Sequence, residues 1–240
     1  MNRKEEVNEI FDILVAERKY LAETKPKFRK IILITLPVLL LLFSTAGLRL
    51  TRNLKLISIG NTQNTLNDKS ILGHLPYDEI SREKLVFIEP NILVHRDMKE
   101  SLLKMRQHAK KDGIFLVFLS GYRSIKLQKE IFYSLKSIRN QVATERARVS
   151  APPGYSEHST GFAIDIGDFN RPKTDFEVEF ENTDAFRWLK NNAAKYHFKL
   201  SFNKNNKNVD YEPWHWRYEG SIEALKIFEA SNRKFKNSNN

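Results

Sequence analysis

The chain contains no cysteine. That removes disulfides and thiolate metal sites together, so any bound metal must take its ligands from His, Asp and Glu. Acidic residues are the minority charge: 29 Asp and Glu stand against 40 Lys and Arg, for a formal charge of +11. Such an excess suits nucleic acid, anionic lipid or an acidic polymer such as a cell wall. Nucleic-acid binding would need a basic stripe with interleaved stacking aromatics. The basic residues are scattered instead, so no nucleic-acid partner is expected. Internal repeats and low-complexity tracts are also missing. With 41% hydrophobic and 29% charged residues in 240, the chain can bury one ordinary core and does not have a disordered composition.

Long apolar runs are scarce, with one exception. Ile31 to Leu48 reads IILITLPVLLLLFSTAGL, without a charge. That is about the length a hydrocarbon core of roughly 30 Å requires. A buried core helix would show a polar face, and this run shows none, so it is read as a transmembrane helix. Lys25, Lys27, Arg29 and Lys30 precede it, whereas Arg49, Arg52 and Lys55 follow. The bias puts the N-terminus inside and the rest of the chain on the extracytoplasmic, periplasmic or cell-wall side. The segment before the run is long for a signal n-region and Ser44-Thr45-Ala46-Gly47 is a mediocre cleavage site, which favours a retained anchor. The expected organisation is a cytoplasmic segment over 1–30, the membrane helix over 31–48, a polar stalk over 49–68, a domain over 69–232 and a polar tail over 233–240.

Within the domain, Met98, Leu102, Met105 and Ala109 form one helical stripe that Gly113 is placed to end. Ile114 to Leu119 is a continuous apolar run, read as a buried strand. Ser124 can cap a second helix with the stripe Leu127, Ile131, Leu135 and Ile138. Phe162 to Ile166 is a short strand. Thr183 caps a helix running from Asp184 to about Tyr196. Phe198 to Phe202 and Trp214 to Tyr218 are strands, and a last helix starts near Ile222. Helices first and strands later predict an α+β domain whose sheet is small and mostly antiparallel.

Three stretches are denser in chemically able side chains than the rest: Ser120-Gly121-Tyr122-Arg123-Ser124 with Gln128, Ser156 to Asp165, and Glu212-Pro213-Trp214-His215-Trp216-Arg217. A hydrolytic zinc site needs three His or carboxylate ligands, an open position for water, and a carboxylate that is not a ligand. His158, Asp165 and His215 supply the ligands and Glu212 the base. Singly, each has a plain structural reading. A lone histidine at a strand end is more often hydrogen-bonded than a ligand, Asp165 could start a turn, Glu212 could be solvated and Arg123 could pair on the surface. Glu212 and His215 stand three apart, a spacing that dictates no common face on a strand or loop. Asp168 is a rival ligand or an outer partner of a ligating histidine. His74, His95, His108 and His197 fit no pattern and are read as structural or exposed.

Taken together, SGYRSIKLQ at 120–128, SEHSTGFAID at 156–165 and EPWHWR at 212–217 resemble the VanY-type zinc D-alanyl-D-alanine carboxypeptidases. These belong to the wider group of lysostaphin, D-Ala-D-Ala metallopeptidase and hedgehog-like domains. All three family patterns are present in order, across about residues 70 to 230. The resemblance implies zinc held by His158, Asp165 and His215, with Glu212 as general base. It implies that Arg123 binds either the developing oxyanion or the substrate's terminal carboxylate. Gln128 and Ser156 match substrate-side positions, while Tyr122 and Trp214 are expected to shape the pocket wall. Gly161 and Ala163 are small enough to let the strand approach its neighbours or the metal closely. The implied substrate is the D-Ala-D-Ala end of a peptidoglycan stem peptide or its precursor. Family relatives also include L,D-carboxypeptidases and wall endopeptidases, and a zinc-containing binding module is the rival of another class. A silent module would be expected to lose Glu212 or Arg123, and both are present.

Overall fold

A computed structural model describes residues 70–138 and 140–237. The expected N-terminal segment, membrane helix and stalk lie outside these residues. Among the described residues no helix is long and apolar enough to cross a membrane. The order is a hairpin of β1 (Leu85–Glu89) and β2 (Ile92–His95), then α1 (Arg96–Lys111), β3 (Leu116–Ser120), α2 (Ile125–Ile138), α3 (Ala143–Val149), β4 (Ala163–Asp168), α4 (Asp184–Asn192), β5 (Phe198–Leu200), β6 (His215–Tyr218) and α5 (Ile222–Asn237). The main sheet has four strands in the order β3-β4-β6-β5, every pair antiparallel. This is the expected α+β architecture.

The periodicities place the core. Met98, Leu102, Met105 and Ala109 are all fully buried on α1, and Gly113 follows its end at φ 77°, a left-handed position where glycine carries no penalty. The Ser124 hydroxyl accepts the Leu127 amide and the Thr183 hydroxyl accepts the Phe186 amide, so both predicted caps form. Leu127, Ile131 and Leu135 make a separate small cluster under α2. The helix after Thr183 is regular only to Asn192 and tightens into a 3-10 turn over Ala193–Tyr196. On β4, Ile164 and Ile166 join the main core, and on β6 so do Trp216 and Tyr218. Side chains alternate across a strand. Asp165 on β4, with His215 and Arg217 on β6, therefore falls on the opposite face of the sheet. That face is buried as well: all ten residues of the two strands are shielded from solvent. A buried face carrying charge must be internally paired, and that pairing forms the candidate site.

Two elements were not expected. The β1–β2 hairpin packs its second strand against the Ser120–Arg123 loop. The carbonyl of Leu93 accepts the Tyr122 amide at 2.6 Å, and a Cβ on Gly121 would stand 2.2 Å from that same oxygen. Only glycine fits there. The short α3 carries Arg146 and Ala147 inward, and His74 bonds the Ala147 carbonyl at 2.7 Å.

Candidate metal centre

The sheet register does most of the assembly. Asp165, on the central strand, has Ser120 as its cross-strand partner on one side and His215 on the other. The three sequence motifs thus meet in one row across β3, β4 and β6. A bulge between Phe118 and Ser120 shifts the edge of that row, a device that re-aims side chains at strand ends.

His158 arrives from the 3-10 turn Glu157–Thr160. The Ser156 hydroxyl accepts the His158 amide at 3.3 Å and so caps the turn. Gly161 closes it at φ 72°, with its carbonyl accepting the His95 amide at 2.8 Å. A Cβ there would come within 2.9 Å of Leu85 Cδ2 and 3.2 Å of the His95 nitrogen. The close approach expected of Gly161 is therefore to the hairpin. Glu212 and His215 converge because the chain between them folds back: the His215 amide donates to the Glu212 carbonyl at 3.1 Å, which closes a four-residue turn around Pro213 and Trp214.

The resulting geometry is compact. One ligand atom each from His158, Asp165 and His215 lies within 4.8 Å of the other two, and all three residues are buried. His158 Nε2 stands 3.2 Å from Asp165 Oδ2, and His215 Nδ1 stands 3.1 Å from Asp165 Oδ1. His158 Nδ1 bonds the Gly121 carbonyl at 2.6 Å. A carbonyl only accepts, so Nδ1 carries the proton and Nε2 is left with its lone pair facing Asp165. Two imidazoles and one carboxylate, each aimed at one point and each buried, suit a tetrahedral zinc ion with one position open.

Charges in the site are strongly perturbed. Burial alone would raise the Asp165 carboxyl, but the His158 and His215 rings beside it outweigh burial and hold it well below the usual carboxylate range. Burial lowers His158. It would lower His215 too, yet hydrogen bonds to Asp165 and Glu157 raise that ring to about 10. Glu212 is pushed up to about 8, chiefly by burial. Its Oε2 lies 4.0 Å from His215 Nδ1, so a divalent cation held by His215 would draw it back toward ionisation.

A cleft of about 320 Å³ opens onto these groups, lined among others by Arg123, Ser156, Glu212 and Trp214. Arg123 Nη2 donates to Ser120 Oγ at 3.1 Å and approaches Asp165 Oδ2 at 3.5 Å, while Nη1 donates to Gln128 Oε1 at 3.0 Å. Its Nε–H has no partner among the described residues. Gln128 is fully buried, and its amide nitrogen is also engaged, by Ser150 Oγ and the Ala151 carbonyl. It stands behind Arg123 and is not among the cleft-lining residues. Nor is Tyr122, whose hydroxyl donates to Glu79 at 2.7 Å. The same carboxylate accepts the Ile125 amide at the start of α2. Trp214 does line the cleft, edge-on to Phe176.

The residues set aside by sequence also find places. Asp168 accepts the Asn170 amide and is not in the ligand group. His95 caps α1 through Nδ1 and stacks on Phe162 at 4.1 Å. It forms a second His-carboxylate group with Asp97 and Glu223, but Lys84 already holds Glu223 at 2.7 Å. The residue sequence reasoning missed is Glu157. Its Oε2 bonds His215 Nε2 at 3.0 Å and Ser201 Oγ at 2.5 Å, and its Oε1 accepts Arg217 at 2.8 Å. Burial would raise this carboxyl, yet Arg217 and His215 together hold it well below the usual range. The available signal was an acid and a base, Glu157 and Arg217, each set inside a motif rather than beside one.

The chain is similar to the YodJ protein of Bacillus subtilis (strain 168), with 36% identity over 141 residues, 57% of this chain and 50% of that protein. It is similar to a D-alanyl-D-alanine carboxypeptidase of Enterococcus faecalis (strain ATCC 700802 / V583), with 33% identity over 130 residues, 50% of this chain and 46% of that one. The chain thus spans about half the length of the curated relatives it matches. Among solved structures it resembles the LdcB LD-carboxypeptidase, with 33% identity, a TM-score of 0.50, and coverage of 66% of this chain and 72% of that one. The sequence profile of the VanY family, described as D-alanyl-D-alanine carboxypeptidase, matches residues 91–221. The chain belongs to the VanY D-alanyl-D-alanine carboxypeptidase family.

Proposed function

We propose that the protein is a zinc-dependent D,D-carboxypeptidase acting on the D-Ala-D-Ala end of peptidoglycan stem peptides or their precursors. The observation that carries this reading is the convergence of His158, Asp165 and His215 on one point, with Glu212 and Arg123 beside them in one cleft. Zinc bound there would supply Lewis-acid polarisation and a water acidic enough to ionise near neutral pH. Glu212 takes the proton from the attacking water as the oxygen adds to the scissile carbonyl carbon. It then delivers that proton to the departing amine as the C–N bond breaks, releasing D-alanine and a shortened peptide.

Arg123 reaches within 3.5 Å of the ligand carboxylate. That position supports the oxyanion role over a site for the terminal carboxylate, because charge develops next to the ligands. Ser120 and Gln128 fix the guanidinium plane, so Gln128 serves the substrate through Arg123. Ser156 acts through the turn that presents His158, and Trp214 with Phe176 forms the apolar wall. The charge-free run over 31–48 and the basic residues before it support a single membrane anchor with the domain on the outer side.

The test is D-alanine release from a synthetic pentapeptide ending in D-Ala-D-Ala, with zinc and with chelator, beside Glu212→Ala. Zinc-dependent release that the variant loses is the expected result. The likeness to LdcB favours a second reading, L,D-carboxypeptidase activity. Release from a tetrapeptide but not from the pentapeptide would select it. Release from neither, with zinc bound, would reject both in favour of an endopeptidase or a binding module.

A further inference from the structure

His215 presents both ring nitrogens to carboxylates. Nδ1 faces Asp165 at 3.1 Å and Nε2 faces Glu157 at 3.0 Å. Only one nitrogen of a neutral imidazole can ligate, and the other must carry the proton. Asp165 is in the ligand group and Glu157 is not.

The geometry points to Glu157 as a positioning residue: by holding the Nε2–H of His215 it commits that ring to ligation through Nδ1, and Arg217 anchored on α5 holds Glu157 in place. This rests on the zinc reading above. His215 and Arg217 are two apart on β6, so both project from one face of the strand, and Glu157 lies across that face bonded to each. Arg217 in turn donates to Ser231 Oγ at 2.9 Å and Asn232 Oδ1 at 2.7 Å, both on α5, and to Glu219 at 2.7 Å. A buried chain of charge-assisted bonds therefore runs from the last helix to the ligand.

Its electrostatic logic is specific. An added carboxylate makes the imidazole a more basic ligand, but an unbalanced one would be costly to bury. Arg217 offsets the Glu157 charge at close range, so His215 gains basicity without an unpaired buried carboxylate beside it. His158 has a neutral carbonyl, from Gly121, in the equivalent place. With zinc bound, the two histidines would thus be held in opposite tautomers by different partners.

Nitrogen-15 NMR of the two rings in the zinc-loaded, full-length chain tests this without a variant. His215 should show zinc on Nδ1 and the proton on Nε2, and His158 the reverse. Zinc on Nε2 of His215 would overturn the proposal while leaving the zinc reading intact. Failure of the chain to bind zinc would overturn both. A second arm uses Glu157→Gln, whose amide cannot accept from both Arg217 and His215. Chelator competition should give a zinc affinity about 10–100-fold weaker, and the cobalt-substituted protein should show shifted visible bands. A purely structural role would lower the unfolding midpoint but leave the affinity and bands of the folded protein unchanged, and that outcome would refute the assignment.

Discussion

Replacing Asp175 by asparagine should make the protein more stable at neutral pH, and the gain should fade in acid. Asp175 sits at the root of the loop that carries Phe176, Glu177 and Val178 to the cleft wall. Its Oδ1 is buried without a hydrogen-bond partner among the described residues. That atom packs where a side chain on Gly167 would start, 2.4 Å from the ideal Cβ position. Burial, and secondarily the nearby Asp168 carboxylate, raise its pKa from an ordinary 3.8 to about 6. That gap corresponds to about 3 kcal/mol against the ionised form. The side chain is only half-buried, so solvent screening reduces this to about 1–2 kcal/mol.

The sign follows from linkage. The folded state holds the proton more tightly than the unfolded chain, so the penalty is absent below about pH 3.9, grows with pH, and is complete above about 6. Asparagine removes the charge in both states. Urea unfolding near pH 7.5 should therefore show Asp175→Asn about 1–2 kcal/mol more stable, and the advantage should fall to about half by pH 5. A variant no more stable than wild type at neutral pH, or an advantage that does not narrow in acid, would refute the reasoning.

Arg123→Lys keeps the charge but loses the fork held by Ser120 and Gln128. Steady-state peptide hydrolysis should show kcat lower by about 10²–10³-fold, and a wild-type rate would exclude the oxyanion role. Gly161→Ala forces a side chain into a left-handed turn against the hairpin. It should cost about 1–3 kcal/mol in urea unfolding and weaken zinc binding, because the same turn presents His158. Zinc binding should release more than one proton near neutral pH: a His215 ring raised to about 10 must give up its proton to ligate, and a Glu212 carboxyl raised to about 8 is drawn back toward ionisation. Titration calorimetry in buffers of different ionisation enthalpy measures this, and buffer-independent heats would contradict it.

Much of the fold was legible because its helices carry clean apolar stripes. Met98, Leu102, Met105 and Ala109 predicted both the span and the buried face of α1. The hairpin before it is harder to read: Leu85 to Ile88 and Ile92 to Val94 are short apolar runs of a kind that fits strand or helix, although Pro90-Asn91 between them is a turn signal. The helix α3 has no stripe at all, and one of its two buried residues is Arg146. At the site, residue types announced the ligands, but spacing did not show that Glu212 and His215 face one cleft. That depends on a single turn hydrogen bond. Gln128 and Tyr122 look like substrate contacts in sequence, yet their polar atoms are taken by Arg123 and Glu79. Glu157 was hidden because a buried charge is recognisable only with its partners, here 44 to 60 residues away.

The placement of β4 between β3 and β6 has a consequence for the order of events during synthesis. Two of the three ligands, His158 and Asp165, lie upstream of the strand that supplies the third. His215 reaches Asp165 only when β6 has zipped onto β4. A nascent chain therefore offers a bidentate, weak site until its last strand has docked. Tight capture of a metal by all three ligands would therefore follow the docking of β6 onto β4, as a late step rather than a nucleating event.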